Sequence, residues 1–120
     1  MSFAAVPFHL DTAGEAWVES AFAALTERQK LSQLFTLLSR GTDEDELERL
    51  ARFQPGGVTR IQGPDATAER AVLDRLNAAA PIPLLVSADL EGSRMSLAGG
   101  TEFPNPLALA AVDDESLTET

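Results

Sequence analysis

The residues best placed for chemistry lie in the segment Pro81 to Ala111, PIPLLVSADLEGSRMSLAGGTEFPNPLALAA, where an apolar run ends in a carboxylate. Leu84, Leu85 and Val86, bounded by prolines, predict a strand covered on both faces, as in a parallel sheet. Asp89, Glu91 and Arg94 then follow around Gly92, in a loop too polar for a core. Ligands of α/β folds sit outside the carboxyl ends of the strands, so charged residues there are candidates for binding or catalysis. Glu91 and Arg94 read more simply as an exposed ion pair, worth ~0 to 1 kcal/mol. Asp89, read plainly, caps the turn through backbone N–H groups. A metal site from Asp89, Glu91 and His9 is rejected, because the spacing fits no motif with a coordination logic. Gly56 and Gly57 precede a strand instead of opening a helix, so they do not form a phosphate loop. No cofactor is expected.

The elements that must position these residues begin with an amphipathic helix from about Asp11 to Leu25, carrying Trp17, Val18, Ala21, Phe22 and Leu25 on one face. Trp17 is expected as a core or interface anchor. Thr26-x-x-Gln29 is a capping box that starts a second helix, with Leu31, Leu34, Phe35 and Leu38 inward and an end near Gly41. Thr42 with Asp43, Glu44 and Asp45 starts a third, whose stripe is Leu47, Leu50 and Phe53. Gln54-Pro55-Gly56-Gly57 breaks it, and Val58 to Ile61 follows as the expected first strand of the sheet. Asp65 or Thr67 caps the next helix, carrying Ala71, Val72, Leu73, Leu76 and Ala79, before the Leu84–Val86 strand. Strand, helix, strand over ~30 residues is a βαβ unit with parallel strands. Phe103, Pro104 and Pro106 suit a rigid loop, and Asp113 to Ser116 resembles the opening turn of one more helix.

Composition fits an ordinary globular chain, since 44% hydrophobic and 23% charged residues are near the averages. A net charge of −10 repels phosphate backbones and anionic headgroups, so neither nucleic acid nor membrane is an expected partner. With no cysteine there is no disulfide framework and no thiolate site. The start MSFAAVPFHL lacks a basic n-region, contains Pro7 and His9 and stops short of a usual signal-peptide core. Cytoplasm is taken as the default compartment, with export of the parent protein left open.

The helices followed by PGGVTRI, IPLLVSADLEGSR and TEFPNPLALAA with DDESL resemble the N-terminal domain of glycoside hydrolase family 3. The specific parts are Gly56 to Val58, the Asp-x-Glu-Gly step at Asp89 to Gly92, and Phe-Pro-x-x-Leu-Ala from Phe103 to Ala108. The resemblance implies an α/β fold, the opening part of a (β/α)8 barrel preceded by N-terminal helices, with residues 1–120 one incomplete domain. It also implies a retaining β-glycosidase acting on β-linked glucosides or N-acetylglucosaminides. Such a barrel takes ~250 residues, so this length supplies only its opening strands.

Asp89 matches the family aspartate that binds sugar hydroxyls, and an ionised carboxylate can accept charge-assisted bonds from two neighbouring hydroxyls at once. Arg94 falls on the first arginine after the glycine step in the N-acetylglucosaminidase branch, where it could pair with Glu91 or reach the ligand. Ser93 replaces a glycine, and Leu97 stands where that branch often carries another arginine. The family's nucleophile and acid–base motifs do not occur, and His9 matches no family position. Asp89 and Glu91 are not the catalytic pair. Retaining enzymes set two carboxyls ~5 Å apart on opposite sides of the scissile bond, a geometry that two such near neighbours in sequence do not readily reach. The expected substrate-binding residues are therefore Asp89, Arg94 and Glu91, with no catalytic residue in the chain, which would be inactive alone. The alternative is a non-catalytic module that binds sugar weakly or self-associates through an open sheet edge.

Overall fold

A computed structural model describes residues 8–61, 63–96 and 99–117. Helix α1, Thr12–Ala24, is capped by Asp11, whose carboxylate accepts from the Gly14 N–H at 2.8 Å. Its apolar face forms but is not buried: Trp17 is 58% exposed and is no core anchor among the described residues. That face borders a shallow groove with Leu34 and Ile82, and Lys30 sits 4.3 Å from the Phe22 ring centroid.

The Thr26–Gln29 capping box forms, with the Gln29 N–H donating to Thr26 Oγ1 at 3.2 Å and the Thr26 N–H to Gln29 Oε1 at 3.0 Å. The helix it opens, α2, spans only Glu27–Ser32. The expected continuation to Gly41 is instead a strand, β1, Thr36–Arg40. Leu31, Leu34, Phe35 and Leu38 share helical spacing, but all four are exposed, while Leu37 and Ser39 turn inward with strand alternation. A short apolar run fits either period, and long-range pairing decides between them. Gly56 donates its N–H to the Ser32 carbonyl at 3.1 Å, which ends the helix against the next strand. A Cβ on Gly56 would run into the Gln33 carbonyl, so this approach requires glycine.

Helix α3, Glu44–Phe53, is capped by Asp43 and not by Thr42; the Asp43 carboxylate accepts from the Glu46 N–H at 2.8 Å. Phe53 meets Phe35 edge to face at 5.7 Å. Strand β2, Gly57–Ile61, follows, then α4, Ala66–Ala79, capped by Asp65, and β3, Leu85–Ala88. The sheet order is β1-β2-β3, all parallel, with Leu38 opposite Thr59 and Thr59 opposite Ser87. The strand expected first is thus the central one. Asn105 caps a short α5, Pro106–Val112, so Pro106 opens a helix instead of stiffening a loop. Asp113 to Ser116 leads into a 3-10 turn at Glu115–Leu117, and Asp114 accepts from the Ser116 N–H at 3.0 Å.

One face of the sheet carries the core. Leu47 and Leu50 of α3, Val72 and Leu76 of α4 and Val58 of β2 are buried together, with Leu37, Ala51 and Leu84 packed against them. Each such side chain contributes roughly 1.5–3 kcal/mol on burial. Arg75 of α4 pairs with Glu44 of α3 across their outer sides. The other face stays bare: Leu38, Ile61 and Leu85 are exposed, Leu85 by 75%. The expected strand covered on both faces is therefore a half-covered edge strand, since no helix among the described residues lies over its second side. Accessible surface is 8813 Å², against about 6300 Å² for a compact chain of this size. Among the described residues, no helix is long and apolar enough to cross a membrane.

Candidate functional site

Parallel strands bring their carboxyl ends together, and here a cavity of about 570 Å³ opens beyond β2 and β3. One wall is Arg60, Ile61, Gly63 and Pro64, where β2 turns into α4. The exit from β3 adds Asp89, Leu90 and Ser93 to Ser96, and Gly99, Gly100 and Glu102 complete the lining. Its size falls within the ordinary range for small-molecule sites, ~300–1000 Å³.

Asp89 comes one residue after β3 and is exposed. Among the described residues no N–H or hydroxyl donates to its carboxylate, so it does not cap the turn. Arg94 lines the same cavity, which puts a cation and an anion on one wall. Glu91 does not join them: it borders a neighbouring cavity of about 480 Å³ with Phe103, Pro104 and Leu109. No Glu91–Arg94 ion pair forms among the described residues, contrary to the sequence expectation, because the chain turns sharply between them. Gly92 and Ser93 both have positive φ, 83° and 50°, and Met95 returns its N–H to the Gly92 carbonyl at 3.0 Å. The Ser93 N–H then donates to the Phe103 carbonyl at 2.6 Å. A Cβ on Gly92 would lie 2.6 Å from the Pro104 carbonyl, which explains the glycine of the Asp-x-Glu-Gly step and ties it to the Phe-Pro segment. His9 is exposed, and no metal-holding cluster occurs among the described residues. Leu97 lies outside the described residues.

Sequence reading missed the group that frames the cavity. Arg60 of β2 is 3% exposed and lies on the helix-covered face of the sheet. Its Nε and Nη2 donate to Glu69 Oε1 and Oε2 at 2.7 and 2.8 Å, Nη1 to Ser39 Oγ at 2.6 Å, and Nη2 to the Gly41 carbonyl at 2.7 Å. Glu69 Oε2 also accepts from the Gly63 N–H at 3.0 Å. The Arg60 guanidinium holds the Glu69 carboxyl below its ordinary value; partial burial opposes the shift and the Gly63 N–H assists it. The signal was present in the sequence as one arginine at an inward position of a strand, alternating with Val58.

No family model matches the chain. A β-N-acetylglucosaminidase/β-glucosidase of Cellulomonas fimi is 36% identical over 108 residues, covering 89% of this chain and 19% of that protein. Among solved structures, the β-glucoside phosphorylase BglX with 2FGlc bound superposes with a TM-score of 0.70 at 30% identity, over 95% of this chain and 21% of that one. The same phosphorylase in a second structure gives 0.66 at 29% identity. The chain therefore spans about a fifth of the length of these relatives. Sequence and fold similarity to these proteins support the resemblance to glycoside hydrolase family 3 carried by the motifs at Gly56–Val58, Asp89–Gly92 and Phe103–Ala108.

Proposed function

We propose that residues 1–120 are the opening strands and helices of a (β/α)8-type N-terminal domain whose parent enzyme cleaves β-linked glucosides or N-acetylglucosaminides. Two features support the barrel reading. The strands lie side by side in chain order, and both crossover helices, α3 and α4, cover the same face. Successive right-handed crossovers running in one direction put their helices on one face, and a barrel keeps the bare face inward.

The observation that carries the sugar reading is Asp89, one residue beyond β3, facing no hydrogen-bond donor of the described chain and lining a cavity of sugar-accommodating size. Its carboxylate would accept from two adjacent hydroxyls, with Arg94 in the same cavity as a donor to ring or acetamide oxygens and Glu91 on the adjoining rim. Asp89 orients the sugar; nucleophile and acid–base would come from other parts of the parent. The chain alone is accordingly inactive on nitrophenyl β-glucoside and nitrophenyl N-acetyl-β-glucosaminide. Titrating the isotope-labelled chain with methyl β-D-glucopyranoside tests the site. Amide shifts at Asp89 to Met95 that vanish in Asp89→Ala support it, and a wild-type spectrum unmoved by the sugar overturns it.

A second reading concerns the acceptor. The relatives' names include both a glucosidase and a phosphorylase, so the glycosyl group of the parent would pass either to water, the reading preferred here, or to inorganic phosphate. Assaying the parent with and without phosphate, and looking for glucose or glucose 1-phosphate, separates the two.

A further inference from the structure

We infer that Arg60 is a positioning residue for the strand-end cavity: buried at the base of the β2 wall, it fixes Gly63 and Ile61 of that wall through Glu69 and Gly41. The inference rests on the sugar-binding reading above. Four of the five guanidinium N–H groups are committed within the chain, two to Glu69, one to Ser39 and one to the Gly41 carbonyl. Its side chain is 1% exposed, so the one N–H left over, on Nη1, has almost no surface from which to reach a sugar.

What the network holds is the cavity's own lining. Glu69, oriented by both prongs of Arg60, accepts the N–H of Gly63, which lines the same cavity as Asp89. On the β1 side, the Gly41 carbonyl accepts from Arg60 while the Gly41 N–H donates to the carbonyl of Ile61, another wall residue at 2.9 Å. Ser39, fully buried, takes the remaining bond and anchors the guanidinium to the end of β1. The ends of two strands and the start of α4 are thus joined through one planar fork. A lysine could not reproduce this, because it is a point charge without the fixed geometry.

The test separates positioning from mere stability by removing both charges together. Replacing a buried ion pair with apolar residues of similar volume is often neutral for folding, whereas removing one partner is not. The double variant Arg60→Met with Glu69→Leu in the 120-residue chain should therefore keep a dispersed amide spectrum and cooperative melting. Its Gly63 amide should lose protection from hydrogen exchange, and its affinity for methyl β-D-glucopyranoside should fall about tenfold. A folded double variant that binds the sugar as well as wild type overturns the inference, even if Gly63 has lost protection. Should the double variant fail to fold, Arg60→Lys replaces it: a folded lysine variant must show the same weakened binding, and unchanged binding overturns the inference. If the wild-type chain gives no sugar response, the sugar reading itself fails. Arg60 is then decided by the Gly63 amide, where unchanged protection in the variant overturns its hold on the wall and lost protection supports it.

Discussion

Thr59 Oγ1 and Ser87 Oγ lie 2.9 Å apart across β2 and β3, a hydroxyl pair on the sheet face that no helix among the described residues covers. The same face carries Leu38, Ile61 and Leu85, all exposed. Small hydroxyls beside aliphatic residues suit a barrel interior, where side chains from neighbouring strands interdigitate. Left bare, the face and the outer edge of β3 invite pairing with another chain. Sedimentation of the isolated chain should accordingly show concentration-dependent self-association, reduced by Leu85→Lys. A strictly monomeric wild-type chain at every concentration would contradict this.

The core is small and one-sided, so each of its residues counts. Leu47 is 2% exposed between α3, α4 and the sheet, and Leu47→Ala should cost about 2–5 kcal/mol in urea unfolding. Leu107→Ala, at a position 79% exposed, should stay within about 0.5 kcal/mol of wild type. Equal effects at the two sites would mean that the core is not where the packing places it.

Acid should weaken the fold through Glu69. Its carboxyl is held below the ordinary value of 4.5, chiefly by the Arg60 hydrogen bonds, while in the unfolded chain it returns to that value. A depressed folded value means the stabilisation is complete above about pH 4.5 and is lost as pH falls through the folded value. The stability difference between wild type and Glu69→Gln should therefore be constant at neutral pH and shrink below about pH 4.5. A difference that stays flat into the acid range would exclude this linkage.

Helix starts were legible because they are local. Thr26, Asp65 and the acidic run at Asp43 to Asp45 each announce a helix through a side chain that reaches its own first turn. The β1 strand was not legible, since Leu31 to Leu38 fits two periods and only pairing with β2 selects the strand. The bare face of β3 was hidden for the same reason: an apolar run says that burial is favourable, not which partner supplies it. At the cavity, the strand-end position of Asp89 could be read from the polar residues after an apolar run. The separation of Glu91 from Arg94 depends on two consecutive positive φ angles that no spacing rule encodes. Arg60 escaped notice because its partners are 9, 19 and 21 positions away.

Gly92→Ala should disturb the cavity more than the fold. The residue has φ 83° and its missing Cβ makes room for the Pro104 and Phe103 carbonyls at 2.6 and 2.7 Å. Strain of this kind costs roughly 1–3 kcal/mol and is relieved here by moving the Phe103–Pro104 segment away. Circular dichroism should stay near wild type, while the Ser93 amide, bonded to the Phe103 carbonyl, should lose exchange protection. Retained protection at Ser93 would show that the loop tolerates a side chain there.

On the proposed sugar-binding role, Asp89→Ala in the full-length parent would remove the acceptor of two sugar hydroxyls without altering any hydrogen bond of the described chain. Stability should therefore hardly change, whereas each lost charge-assisted bond costs about 1.5–3 kcal/mol of binding. Because the orientation of the sugar matters in both the ground state and the transition state, KM should rise and kcat should fall together, with kcat/KM down about a hundredfold or more. Asp89→Asn keeps one carbonyl acceptor and should fall between the two. Arg94→Ala, on the same wall but with a single cation to lose, should weaken binding less than Asp89→Ala. Steady-state kinetics on nitrophenyl β-glucoside decide the matter: wild-type constants in Asp89→Ala would remove this residue from the site and, with it, the assignment of the cavity beyond β3.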